Sequence, residues 1–158
     1  MLDIQYVLVG AVSLLILLLI IVQGRKDQNQ NERKKYFDYL IGVTVIFCLI
    51  DIFWGLVVSG TILSSDWIVF ATTLFYFSAT VVAFALLVFV IAYSGYKLKY
   101  RRFVYLVLVI PLVIETALLF YNFSSGAIFY VGTDRRYTRG IDSFVKTLYV
   151  LDYIYFFV

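Results

Sequence analysis

The chain has 158 residues, 63% of them hydrophobic and 15% charged, with a formal net charge of +3. An ordinary soluble domain carries about 25% charged residues, so this composition excludes most water-soluble folds. Histidine is absent and Cys48 is the single cysteine, which excludes a disulfide framework and argues against a zinc or haem site.

The first apolar run covers about residues 4–22 and carries no ionisable group except Tyr6. It reads as a transmembrane helix, since roughly 20 apolar residues cover about 30 Å of hydrocarbon. No basic residue precedes it, so it is not a cleavable signal peptide. A polar loop, Gly24 to Tyr36, follows with five basic residues: Arg25, Lys26, Arg33, Lys34 and Lys35.

A second helix is predicted over 37–63, with Asp51 inside it, and a third over 67–94 after the short turn Ser64-Ser65-Asp66. The basic turn Gly95 to Arg102 adds Lys97, Lys99, Arg101 and Arg102. A fourth helix over 103–121 contains Pro111, the only proline, and Glu115 one turn later. In the loop after it, Ile128 to Val131 is β-prone and Gly132-Thr133-Asp134 is turn-like, which predicts a small β-hairpin. A fifth apolar segment, 143–158, is 16 residues long and short of a full span. It is therefore expected to be part of a longer protein.

The two basic loops hold nine of the thirteen Lys and Arg residues. The positive-inside rule makes them cytoplasmic. The fold class expected is an all-α, polytopic membrane bundle of five transmembrane segments, one domain over 1–158, with the N-terminus outside and an extracellular β-hairpin between helices 4 and 5. Its partner is a lipid bilayer. The clustered basic residues already serve topology, so nucleic acid is not expected as a partner.

Four ionisable residues fall inside the apolar segments: Asp51, Glu115, Lys146 and Asp152. A charge at a helix centre costs at least roughly 2.5–3.5 kcal/mol on insertion scales, so such groups face the bundle and pair, neutralise or meet water. Counted along the helices at about 1.5 Å per residue, Asp51, Glu115 and Lys146 fall in one layer of the outer half. Lys146 is the natural counter-ion for either acid. Three readings stand: a buried ion pair fixing register, the polar floor of a ligand pocket, or a proton or ion relay. Trp54 and Tyr76 lie deep enough to line such a pocket or to pack as ordinary core. Arg135, Arg136 and Arg139 in the outer loop could hold lipid phosphates or draw an anionic ligand to the mouth. Asn122-Phe123-Ser124 matches a glycosylation sequon.

Three features together carry a family resemblance: the N-out first helix followed at once by a basic loop, the acid-containing LIDIFW segment (Leu49 to Trp54), and IFYVGTDRRYTRG (Ile128 to Gly140). The chain resembles the N-terminal multi-helix sensory module of Firmicutes diguanylate cyclases and histidine kinases. That family has about seven helices before its output domain, and this chain shows five and no output domain. The resemblance implies a bacterial cell-membrane input module that detects an extracellular or membrane-borne small ligand, works as a homodimer, and needs no cofactor, metal or catalytic residue of its own. A transporter, channel or small accessory membrane subunit is the alternative. An intramembrane aspartyl enzyme would need Asp51 with Glu115, and no motif surrounds either acid.

Overall fold

The computed structural model describes residues 4–24, 32–58, 64–94, 101–132, 137–141, 145–147 and 150. The chain is mostly helical. Helix α1 spans Ile4–Gly24, α2 Glu32–Val58, α3 Ser65–Ser94 and α4 Arg101–Ser125. Strands β1 (Phe129–Val131) and β2 (Tyr137–Arg139) follow, and residues 145–147 are helical again. Three stretches are long and apolar enough to cross a membrane: Lys34–Val58, Ser65–Ser94 and Val104–Ser125. The described side chains of α1, Gly10–Ile20, are apolar except Ser13.

Helix ends depart from the sequence reading for identifiable reasons. Helix α2 begins at Glu32 rather than 37, because Glu, Arg and Lys are good helix formers and extend it into the polar loop. Helix α4 continues four residues past 121, to Ser125. The Gly126 N–H bonds the Asn122 carbonyl at 2.9 Å, and Gly126 takes φ 61°, so a left-handed glycine cap closes the helix. The Ser124 and Ser125 hydroxyls both donate to the Tyr121 carbonyl at 3.0 Å. Of the predicted fifth helix, only 145–147 and 150 are described; the rest lies outside the described residues.

The helices pack in chain order. Helix α1 lies on α2, where Gly10 allows a close approach: a Cβ there would sit 3.0 Å from Ile52 Cγ1. Helices α2 and α3 run antiparallel along their length. The Phe37 and Phe89 rings meet at one end (5.8 Å) and Phe53 and Trp67 at the other (6.5 Å). Ala83, Leu87 and Leu108 form the core between α3 and α4 at one level. Leu119, Ile128, Phe129 and Val145 form it at the other.

The distribution of side chains is inverted relative to a water-soluble bundle. Small and polar residues of α3 point inward: Ala71, Thr72, Ser78, Thr80, Ala83 and Ala85 are all buried. On α4 the buried stripe is Leu108, Pro111, Glu115, Leu119 and Asn122, a helical repeat of three or four residues. The opposite face carries Leu106 (65% exposed), Val113 (59%) and Phe120 (69%). Small residues at helix contacts with large apolar ones outside are what a lipid solvent selects. In water, a continuous apolar face of this kind would drive association.

Strands β1 and β2 pair antiparallel in the register Phe129↔Arg139, Tyr130↔Thr138, Val131↔Tyr137. The ladder extends through Gly140 N–H to the Ile128 carbonyl and Ile141 N–H to the Ala127 carbonyl, both 2.7 Å. Gly140 lies flush on the Ala127 backbone, where a Cβ would overlap the carbonyl. The buried Asn122 ties this sheet to α4. Its Oδ1 accepts from the Ile128 N–H (2.7 Å) and the Phe129 N–H (3.1 Å), while its Nδ2 donates to the Phe129 carbonyl (3.1 Å). The Asn122 side chain thus acts as one more rung of strand partner. With 2% exposure, it is no surface glycosylation site.

Candidate functional site

Five of the six residues expected in an intramembrane polar layer are described. Asp51 lies at the α1–α2 contact, its Oδ2 3.7 Å from the position a Gly10 Cβ would take. Glu115 lies at the α3–α4 contact, 1% exposed, with Oε2 hydrogen-bonded to Thr80 Oγ1 at 2.5 Å; its Oε1 is fully buried as well. Trp54 bridges α2 and α3: its indole N–H donates to Thr72 Oγ1 at 3.0 Å and its ring stacks on Phe75 at 4.9 Å. Tyr76 stacks on Phe129 of β1 at 6.0 Å and 20°. The side chain of Lys146 is exposed. Asp152, Arg135, Arg136 and the side chain of Arg139 lie outside the described residues. No metal-binding group of acids or Cys occurs among the described residues.

Thr80, the described partner of Glu115, carries no charge and belongs to no motif. A signal existed nonetheless. Thr72, Tyr76 and Thr80 recur every four residues on α3, which puts them on one face. The antiparallel α3–α4 arrangement that brings Leu87 to Leu108 then brings Thr80 to Glu115, seven residues along on each helix.

Between α3 and α4 opens a groove of about 260 Å³. Phe70, Thr73, Leu74 and Phe77 of α3 line one wall, and Thr116, Leu119, Phe120 and Phe123 of α4 the other. Both threonine hydroxyls are occupied within their own helices: Thr73 donates to the Val69 carbonyl (2.9 Å) and Thr116 to the Leu112 carbonyl (2.7 Å). The groove therefore offers an apolar, aromatic surface with little demand for hydrogen bonds. It lies just below the size range of small-ligand pockets, about 300–1,000 Å³. Leu119, 2% exposed, both lines the groove and belongs to the core formed with Ile128, Phe129 and Val145. No family model, curated protein or solved structure matches the chain.

Proposed function

We propose that this chain is a multi-pass membrane sensory module, five-spanning, with its N-terminus and two-stranded sheet outside a bacterial plasma membrane. It detects a small apolar or amphipathic ligand in the α3–α4 groove and signals inward, as a homodimer, to a cytoplasmic output. Catalysis is assigned to none of its residues. The observation that carries the reading is the double position of Leu119. A ligand between Leu74 and Phe120 presses on the same side chain that packs on Phe129 and Val145. A shift of α4 would then reach the sheet and the segment after it. Such a ligand acts only if it binds two arrangements unequally.

The test is thermal melting of the protein in lipid nanodiscs with a series of alkyl carboxylic acids. A rise in Tm that grows with ligand concentration is expected. It should vanish in Thr116→Trp, which fills the groove, and survive in Val113→Trp on the outer face. Equal responses in both variants would remove the groove from the account. The alternative, a transporter or channel subunit, draws on the placement of Glu115 within a spanning stretch. Solute flux in proteoliposomes that depends on Glu115 would favour it.

A further inference from the structure

Helix α3 carries one charged residue, Asp66, in its first turn. An acid there already meets the positive end of the helix dipole. What sets Asp66 apart is the surface it borders. With Trp67 and Phe70 it lines a hollow of about 220 Å³ at the start of the helix. The Trp67 ring is held there by edge contacts with Phe53 of α2 (6.5 Å, 82°) and with Phe70 (5.8 Å, 90°), and it still stands 46% exposed. Phe70 also lines the α3–α4 groove, so the hollow and the groove share a side chain.

Register makes the two surfaces one track. Asp66, Phe70, Leu74 and Phe77 follow one another at intervals of four, four and three residues, which is one stripe of a helix. From Asp66 to Phe77 this stripe is roughly 16 Å long at 1.5 Å per residue. One end is a carboxylate beside an indole. The rest is apolar, and the Thr73 and Thr116 hydroxyls along it bond their own helices. A carboxylate attracts a cation, and Trp is the aromatic residue whose face attracts one best. An anionic head at the same place would meet like charge.

We propose that the groove takes a single-chain alkylammonium amphiphile, with its cationic head at Asp66 and Trp67 and its tail along Phe70, Leu74 and Phe77 against Phe120 of α4. The inference rests on the reading of the groove as a ligand site and adds the chemistry of the head. In the topology proposed above, the head lies at the outer membrane surface. The tail enters sideways from the lipid, because Phe70, Phe77 and Phe120 are all exposed.

Thermal melting in nanodiscs of phosphatidylglycerol, whose headgroups carry no ammonium to compete, tests this with three probes of equal tail: dodecyltrimethylammonium, dodecanoate and dodecanol. The probes partition into lipid differently, so the quantity read is the change in each half-maximal concentration between parent and variant. Asp66→Asn should raise it for dodecyltrimethylammonium by roughly threefold to fivefold, the upper range for an exposed ion pair. Dodecanoate should bind no more weakly than before. An unchanged dodecanol response shows that the variant is folded with its groove open. Trp67→Leu should weaken the cation by a similar factor and again spare dodecanol. Thr116→Trp should abolish all three responses. If it does, while Asp66→Asn and Trp67→Leu shift the cation no more than dodecanol, the head site is refuted and the groove survives as a ligand site. If Thr116→Trp spares all three responses, the groove reading fails and this proposal fails with it.

Discussion

Replacing Asn122 by alanine removes the side chain that hydrogen-bonds α4 to the two-stranded sheet. Three backbone groups lose a partner: the Ile128 N–H, the Phe129 N–H and the Phe129 carbonyl. Ile128 and Phe129 are each 1% exposed, so water does not reach these groups without opening the core around Leu119. A buried polar group left unpaired costs about 1–3 kcal/mol. Because the three share one site and relax together, the lower end applies, about 3 kcal/mol in all. At about 2–4 °C per kcal/mol for a chain of this size, Tm should fall by about 6–12 °C. The assay is thermal unfolding in mild detergent, followed by a fluorophore that reports burial. Ser124→Ala is the control. It removes the sequon equally, but Ser124 is exposed and its hydroxyl donates to Tyr121 of its own helix, so its Tm should stay within about 2 °C of the parent. An Asn122→Ala protein that melts with the parent would refute the role assigned to this side chain.

The glycines should respond unequally to a methyl group. Gly140→Ala places a Cβ inside the Ala127 carbonyl, a backbone clash that should lower Tm in detergent by at least about 4 °C. Gly10→Ala meets the Ile52 side chain at Cγ1, 3.0 Å away, rather than backbone, and a drop of no more than about 4 °C is expected in the same melt. Lys146→Ala should change Tm by about 2 °C or less, because the side chain is exposed and surface substitutions stay within roughly ±0.5 kcal/mol. A large loss on Lys146→Ala would restore it as the counter-ion of a buried acid.

Much of the fold was legible because lipid imposes a simple rule on sequence. Runs of apolar residues over 37–63, 67–94 and 103–121 announced the helices that became α2, α3 and α4. Their ends were less legible. The extension of α2 back to Glu32 and of α4 on to Ser125 depends on helix propensity and a glycine cap, which hydropathy does not register. The charged residues drew attention to Asp51, Glu115 and Lys146 as one layer, reckoned by depth alone. Depth says nothing of rotation about the helix axis. Rotation turns Asp51 toward α1 and Glu115 toward α3. Asn122 was read as a sequon because a three-residue pattern carries no information on burial. The groove residues Thr73 and Thr116 were passed over because uncharged hydroxyls within apolar runs give no signal until the register of α3 on α4 is known.

The central claim is that lipid is the solvent of the exposed apolar faces. Spin labels placed singly at Leu106, Val113 and Phe120, all on the outward face of α4, measure this directly in liposomes through collision with oxygen against a water-soluble nickel chelate. High oxygen and low nickel accessibility at all three positions is the outcome expected here. Nickel accessibility equal to that of a label in the polar sequence 25–31 would place this face in water and contradict the account.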